Sequence, residues 1–186
     1  MPTTSTPTAL LVMDVQAGIT DRLPEPDAYL KKLQAAIDYA HSQRWLVIFV
    51  VVGFRPSLPE LSSANRMFKT MSDRAKYFVN PAPALAPSPD DVVVTKRRVS
   101  AFSGSDLEVI LRAQGVTHLV LTGIATSGVV LSTLREASDK DFQLTVLSDL
   151  CADQDAEVQS VLTTKVFPRQ AEVMTAEQWQ TALAGE

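Results

Sequence analysis

The chain alternates between short, wholly apolar runs and longer stretches with apolar residues at helical spacing. Residues 8–14, Thr-Ala-Leu-Leu-Val-Met-Asp, are a mainly apolar run closed by one acid. A run without a polar face predicts a strand covered on both sides, as in a parallel sheet. Residues 28–44 instead place Leu30, Leu33, Ala36, Ile37 and Ala40 on one helical face. Residues 45–52 are rich in β-branched side chains and predict a second central strand. Further strands are predicted at 91–96, 117–122, 142–147 and 171–175, and helices at 105–114, 127–139, 155–166 and 176–183. Ser103 or Ser105 is the expected N-cap of the helix at 105–114, and Gly115 its stop.

Strand and helix alternate from end to end. That order predicts the α/β class: a three-layer α/β/α sandwich with a mainly parallel six-stranded sheet, Rossmann-like in outline. Right-handed crossovers restrict the topology further. Residues 53–91 interrupt the alternation with Pro56, Pro59, Pro81, Pro83, Pro87 and Pro89. Proline at that density prevents long regular elements. A loop region this long is expected to be a functional lid or a subunit-contact arm. There is no internal repeat, and 186 residues fit a single domain spanning 1–186, with 1–7 as a flexible tail.

Composition narrows the function. With 17 basic and 21 acidic residues the net charge is -4, which argues against a nucleic-acid partner. The one basic cluster, Lys96-Arg97-Arg98, suits an anionic small molecule better than a polymer. The single cysteine, Cys151, fits a reducing compartment. His41 and His118 lie far apart with no second ligand at a metal spacing, so no metal is expected. The N-terminal segment lacks the pattern of a signal peptide, and the run 45–52 is too short to span a bilayer. A cytoplasmic protein without a membrane partner is expected. The turn Asp14-Val-Gln-Ala-Gly18 is not a dinucleotide loop and no phosphate-cradling loop occurs, so no cofactor is expected.

In open parallel sheets, ligands bind beyond the carboxyl ends of the strands. Asp14 ends the first predicted strand, Lys96 the third, and the segment 123–129 follows the fourth. Singly, Asp14 reads as a turn cap and Lys96 as a solvated charge. Together, an acid and an amine ending buried strands on one edge supply each other with the partner that a buried charge needs. Cys151 follows the fifth predicted strand and reads as a buried apolar filler.

Several motifs then recur in a familiar order. They are Asp14-Val-Gln16, Lys96 with Ser100-Ala-Phe102 and Asp106-Leu107, Gly123-Ile-Ala-Thr126, Thr133-Leu-Arg-Glu-Ala137, and Val146-Leu-Ser-Asp149 with Cys151 and Asp153. On these, from about Leu10 to Val173, the chain resembles the isochorismatase-like cysteine hydrolases. The resemblance implies a small-molecule hydrolase with Asp14 and Lys96 as catalytic residues and a non-proline cis peptide at Ala125-Thr126. It implies that the nucleophilic cysteine position is taken by Val129, which cannot form a covalent intermediate. The metal-binding histidines of the nicotinamidase branch have no counterpart in Gly53-Phe-Arg55-Pro56.

Without a thiol, vinyl-ether hydrolysis is the first reading: an acid, Asp14, protonates the enol carbon and water adds. Lys96 would orient that acid or bind a substrate carboxylate. A neighbouring ammonium lowers a carboxyl pKa while burial raises it, and sequence leaves the balance open. Gln16, Arg55, Phe102, Thr126, Ser127 and Gly128 are the expected substrate-binding residues, and Arg97 and Arg98 are further candidates for an acidic substrate. The helix from Ser127, its N-cap, is expected to offer unpaired N–H groups to an anion. Two alternatives stand beside this reading: a catalytically silent relative with a binding or assembly role, and an amide hydrolase using Ser127. The resemblance also implies a homodimer or homotetramer.

Overall fold

The structure, a computed structural model, describes residues 6–71, 74 and 77–184. Six strands form one sheet: β1 (Thr8–Met13), β2 (Leu46–Val52), β3 (Val92–Lys96), β4 (His118–Ile124), β5 (Gln143–Ala152) and β6 (Glu172–Met174). Their order is β3-β2-β1-β4-β5-β6, and every pairing is parallel. The chain winds outward from β1 in one direction and, after returning to β4, outward in the other. β1 and β4 therefore flank the point at which strand order reverses. This is the expected α/β/α architecture.

Period-two alternation along β1 divides the interior. Ala9, Leu11 and Met13 pack into one core with Leu107 and Leu111 of α3 (Leu107–Ala113) and Leu134 and Ala137 of α4 (Leu131–Asp139). Leu10 and Val12 face the other core, with Leu33, Ala36, Ile37 and Ala40 of α1 (Pro26–Ser42) and Trp179 of α6 (Ala176–Ala184). Each fully buried Leu or Phe stabilises by about 1.5–3 kcal/mol, so both layers hold the central strands in place.

Several predicted boundaries shift. β4 runs two residues past Thr122 because β1 continues to pair with it through Met13↔Gly123. β5 extends to Ala152 because it leaves β4 after Val146 and rejoins at Cys151. The excursion between them anchors neighbours: Tyr29 donates to the Leu150 carbonyl (3.0 Å), and Asp149 accepts from the Ala176 N–H (2.8 Å) and pairs with Lys32. α3 starts at Leu107, and Ser105 caps it from two residues upstream by accepting the Leu107 N–H (3.3 Å). Gly115 (φ 64°) ends it as expected. The helix predicted at 155–166 is α5 (Ala156–Val161) continued by a π-turn, Leu162–Val166.

The proline-rich stretch contains a short α-helix, α2 (Arg66–Lys69). It folds back over the end of β2, where Phe54, Phe68 and Phe78 close a third apolar cluster with Val52. Of the expected tail 1–7, residues 1–5 lie outside the described residues. Pro7 is tied down, its carbonyl accepting from the Thr117 and His118 N–H groups (3.0 and 3.2 Å).

Candidate active site

A cavity of about 550 Å³ opens at the carboxyl edge of the sheet, at the reversal between β1 and β4. Asp14, the residue after β1, and Lys96, the last of β3, both line it. Asp14 has a left-handed backbone (φ 57°), which aspartate tolerates better than most residues. Its N–H still donates to the Val50 carbonyl (2.8 Å), which fixes the turn against β2.

The Lys96 ammonium sits 2.9 Å from Asp14 Oδ2. It also donates to the carbonyls of Arg98 (2.9 Å) and Val99 (2.8 Å). An ammonium has three N–H donors, and all three are engaged. Lys96 therefore orients Asp14 and has no donor left for a substrate carboxylate. Asp14 Oδ1, by contrast, is buried without any hydrogen-bond partner. Burial pushes the Asp14 carboxyl above its ordinary value, and the adjacent ammonium offsets this only in part. The competition left open by the sequence is thus decided in favour of burial.

The turn after β4 forms the floor. The non-proline cis peptide joins Ile124 to Ala125, one bond earlier than expected. A π-turn, Thr126–Val130, then leads into α4. It closes on the Ala125 carbonyl, which accepts from Gly128 (3.1 Å) and Val130 (3.3 Å). Ser127 is not the N-cap: Ala125 holds that place, and Ser127 is bound by Asp153 instead. Asp153 Oδ2 accepts both the Ser127 N–H (2.8 Å) and its hydroxyl (2.6 Å). These bonds hold the Asp153 carboxyl below its ordinary value, against a burial contribution in the opposite sense. The N–H groups of 127, 128 and 130, expected to be open to an anion, are therefore taken by the protein itself.

Val129 lines the cavity with Ile124 and Gly128, and it is buried. The chain's one cysteine, Cys151, lies on β5 with its sulfur against the Leu121 carbonyl (3.8 Å). Burial pushes its thiol up to about 12, so it is inert at neutral pH.

Five residues expected at the substrate do not line this cavity. Gln16 is buried and bridges the ends of β1 and β2, donating to the Val52 carbonyl (3.1 Å) and accepting its N–H (2.8 Å). Its amide acts as one more peptide in the sheet. Thr126 is buried against Gln159, to which its hydroxyl donates (2.5 Å). Phe102 is core, stacked on Phe142 at 6.1 Å. Arg55 is largely exposed and pairs with Glu60 (2.5 Å), and Arg97 donates to the Gly53 carbonyl (2.5 Å). Neither lines the cavity. Ser127, Gly128 and Val129 do.

Sequence reasoning missed the facing wall. Met67, Phe68 and Met71 from α2 and its surroundings line the cavity, as do Arg22, Arg74 and Arg98. Asp153 was legible, since it follows a parallel strand just as Asp14 does. The contacts of α2 were not, because no periodicity marks which residues of a proline-rich segment fold inward.

A paired acid and amine at the switch point of a six-stranded parallel sheet, beside a non-proline cis peptide, match the expected class of α/β/α hydrolase. A model of the isochorismatase domain matches residues 8–178, and the chain belongs to the isochorismatase-like hydrolase family. It is 32% identical over 183 residues to the uncharacterized isochorismatase family protein YecD of Escherichia coli O157:H7, covering 95% of this chain and 96% of that one. It is 31% identical over 170 residues to the ureidoacrylate amidohydrolase RutB of Stutzerimonas stutzeri, covering 76% of this chain and 68% of that one. The family thus includes amidohydrolases. The structure of an isochorismatase family protein from Burkholderia thailandensis superposes with a TM-score of 0.82 at 31% identity, over 96% of each chain. A cysteine hydrolase from Pseudomonas syringae shares the fold at a TM-score of 0.83 and 23% identity, over 96% of this chain and 93% of that one. Among the described residues, no helix is long and apolar enough to cross a membrane.

Proposed function

We propose that this chain hydrolyses a small, carboxylate-bearing molecule without a covalent thiol intermediate, with Asp14 as the acid and Lys96 as its orienting partner. Val129 stands, in this reading, where related enzymes carry the nucleophilic cysteine. The observation that carries it is the asymmetry of the Asp14 carboxyl. One oxygen is held by Lys96, and the other is buried without a hydrogen-bond partner, in a residue that lines the cavity. A carboxyl group in that setting retains a proton more readily than an ordinary aspartate.

Vinyl-ether hydrolysis uses such a proton. Asp14 protonates the terminal enol carbon, and the electron pair of the double bond forms the new C–H bond. The ether oxygen shares the resulting positive charge. Water adds to the cationic carbon and returns a proton to Asp14. The hemiketal then collapses to a ketone and an alcohol. The floor of the cavity suits a cation better than an oxyanion, because Asp153 already occupies the Ser127 N–H. Val129 contributes hydrocarbon that excludes water from the carboxyl.

An amide hydrolase using Ser127 finds less support. The Ser127 hydroxyl does donate to a carboxylate at 2.6 Å. That carboxylate is held below its ordinary pKa, which makes it a weak base for a serine. A silent binding relative would keep the cavity and show no turnover. The reading also takes the protein to act in the cytoplasm as a homodimer or homotetramer. The test is a panel of carboxylate-bearing vinyl ethers and matched amides. Vinyl-ether turnover that disappears in Asp14→Asn supports the proposal, and ligand binding without any turnover rejects it for the silent alternative.

A further inference from the structure

Arg22, Arg74 and Arg98 line one cavity, and none of the three has a carboxylate partner among the described residues. Arg55 and Arg97, close in sequence, share Glu60. The chain as a whole is acidic, at -4. The cavity is the reverse: Lys96 and three arginines face Asp14 and Asp153, and both acids are already engaged by the protein. A recess with four cations and two acids in its lining raises the local concentration of anions.

Arg98 is the best organised of the three. Its Nη1 donates to the Arg97 carbonyl (2.7 Å), and its guanidinium lies over the Phe68 ring at 5.2 Å. That leaves Nε and Nη2, on one edge of the guanidinium, without partners among the described residues. Two parallel N–H groups in one plane match the two oxygens of a carboxylate. Arg74 is anchored through Nη2 to the Gly18 carbonyl (2.5 Å), and Arg22 is exposed at the cavity. Beside this basic group, Met67, Phe68 and Met71 offer an apolar, adaptable surface.

We propose that Arg98 is the specificity-determining residue of this site, gripping the carboxylate of a substrate whose apolar body lies against Phe68, Met67 and Met71. Arg22 and Arg74 supply the surrounding positive field. The assignment rests on the hydrolase reading above for its substrate, but not for its binding chemistry. The carboxylate binds at Arg98 and not at the β4 turn, because Asp153 already fills the start of that turn. A carboxylate presents two coplanar oxygens to that edge, whereas a phosphate group also presents a third, out of the guanidinium plane.

The test is calorimetric titration with sodium benzoate, benzamide and phenyl phosphate. Benzoate should bind and benzamide should not. Arg98→Gln should weaken benzoate about tenfold or more, the loss expected for a charge-assisted pair. Arg98→Lys keeps the charge and the fold but loses the fork, and should fall between the two. Equal affinity of wild type and both variants would overturn the proposal, as would benzamide binding as tightly as benzoate. Phenyl phosphate outcompeting benzoate would overturn the carboxylate assignment. Turnover failing in Asp14→Asn while benzoate affinity ignores Arg98 would leave the hydrolase reading standing without this subsite. Arg98-dependent binding with no turnover of any vinyl ether would do the reverse.

Discussion

Lys96 reaches Asp14 at 2.9 Å while its two remaining N–H groups are held by the carbonyls of Arg98 and Val99. The ammonium is thereby fixed from three directions, and it presents one face to one oxygen of the acid. The other oxygen has no partner. Two consequences for solution behaviour follow from this single pair.

The first concerns pH. The Asp14 carboxyl titrates above its ordinary 3.8, with burial as the largest cause. A general acid works only while protonated, so vinyl-ether kcat should fall as pH rises through the folded-state pKa. The same shift acts on stability. The folded chain binds this proton more tightly than the unfolded chain does. Its contribution is complete below 3.8 and is lost as pH rises through the folded value. A kcat–pH profile, compared with the carboxyl carbon shift of Asp14 by NMR, should show one titration in both. A rate that rises across the Asp14 titration would exclude its role as acid.

The second concerns Lys96→Met. The substitution removes a buried cation and strips the Arg98 and Val99 carbonyls of a donor. Breaking a buried pair by deleting one member costs about 3–5 kcal/mol. Part of that cost is the charge left on Asp14, which protonation removes. The loss measured by urea unfolding should therefore be larger at pH 7 than at pH 5. Equal losses at both values would mean that the ammonium acts only as a donor to the loop.

The architecture and this pair were legible because both follow from topology. Apolar runs with no polar face report a parallel sheet, and a parallel sheet places the carboxyl ends of β1 and β3 on one edge. The remaining contacts were not legible in that way. Gln16 and Thr126 sit beside the catalytic segment in sequence, yet they satisfy Val52 and Gln159. Proximity in sequence cannot tell a side chain that meets a ligand from one that completes the backbone's hydrogen bonding. Among the arginines, Arg55 finds Glu60 within its own loop, a pairing that its spacing permits. Arg98 has no such neighbour. Only the fold of 53–91 reveals which arginines are left to the cavity.

Gly123 of β4 pairs with Met13 of β1 with no room for a side chain. Its backbone has φ 147°, and a Cβ built there would lie 2.4 Å from the Met13 carbonyl oxygen. The atoms it would meet are the carbonyl and Cβ of Met13 in a central strand, none of which is the far end of a flexible side chain. Gly123→Ala should destabilise by on the order of 3 kcal/mol, combining strain with displacement of a central strand. Thermal unfolding would measure it. A melting temperature within error of wild type would show that the two strands can separate at no cost.

Asp153 provides a pH effect of opposite sign to that of Asp14. Its carboxyl lies below its ordinary 3.8 because Ser127 donates to it twice. That stability is present above 3.8 and is lost as pH falls through the folded value. The group is partly exposed, so solvent screening places Asp153→Asn at about 1 kcal/mol, the low end for a charged hydrogen bond. Unfolding at pH 7 should register that loss, and the gap between wild type and variant should narrow as the pH is lowered below 3.8.

The last prediction tests whether the cavity still activates a thiol. Burial raises the Cys151 thiol to about 12, so its thiolate is scarce at pH 8. The folded wild-type chain should resist iodoacetamide and label only when unfolded. Val129→Cys places a second thiol in the lining of the cavity, beside Asp14 and Lys96. An unperturbed thiol would be roughly a quarter ionised at pH 8. Lys96 favours the thiolate, while Asp14, burial and the loss of a free N–H to Asp153 oppose it. If the surroundings remain those of a cysteine hydrolase, labelling at position 129 should persist well below pH 8, as mass spectrometry of the modified peptide would reveal. A pH–rate profile centred at or above 8.5 would instead mean that the site is no longer tuned for sulfur. That outcome would accord with proton transfer from Asp14 as the chemistry of this cavity.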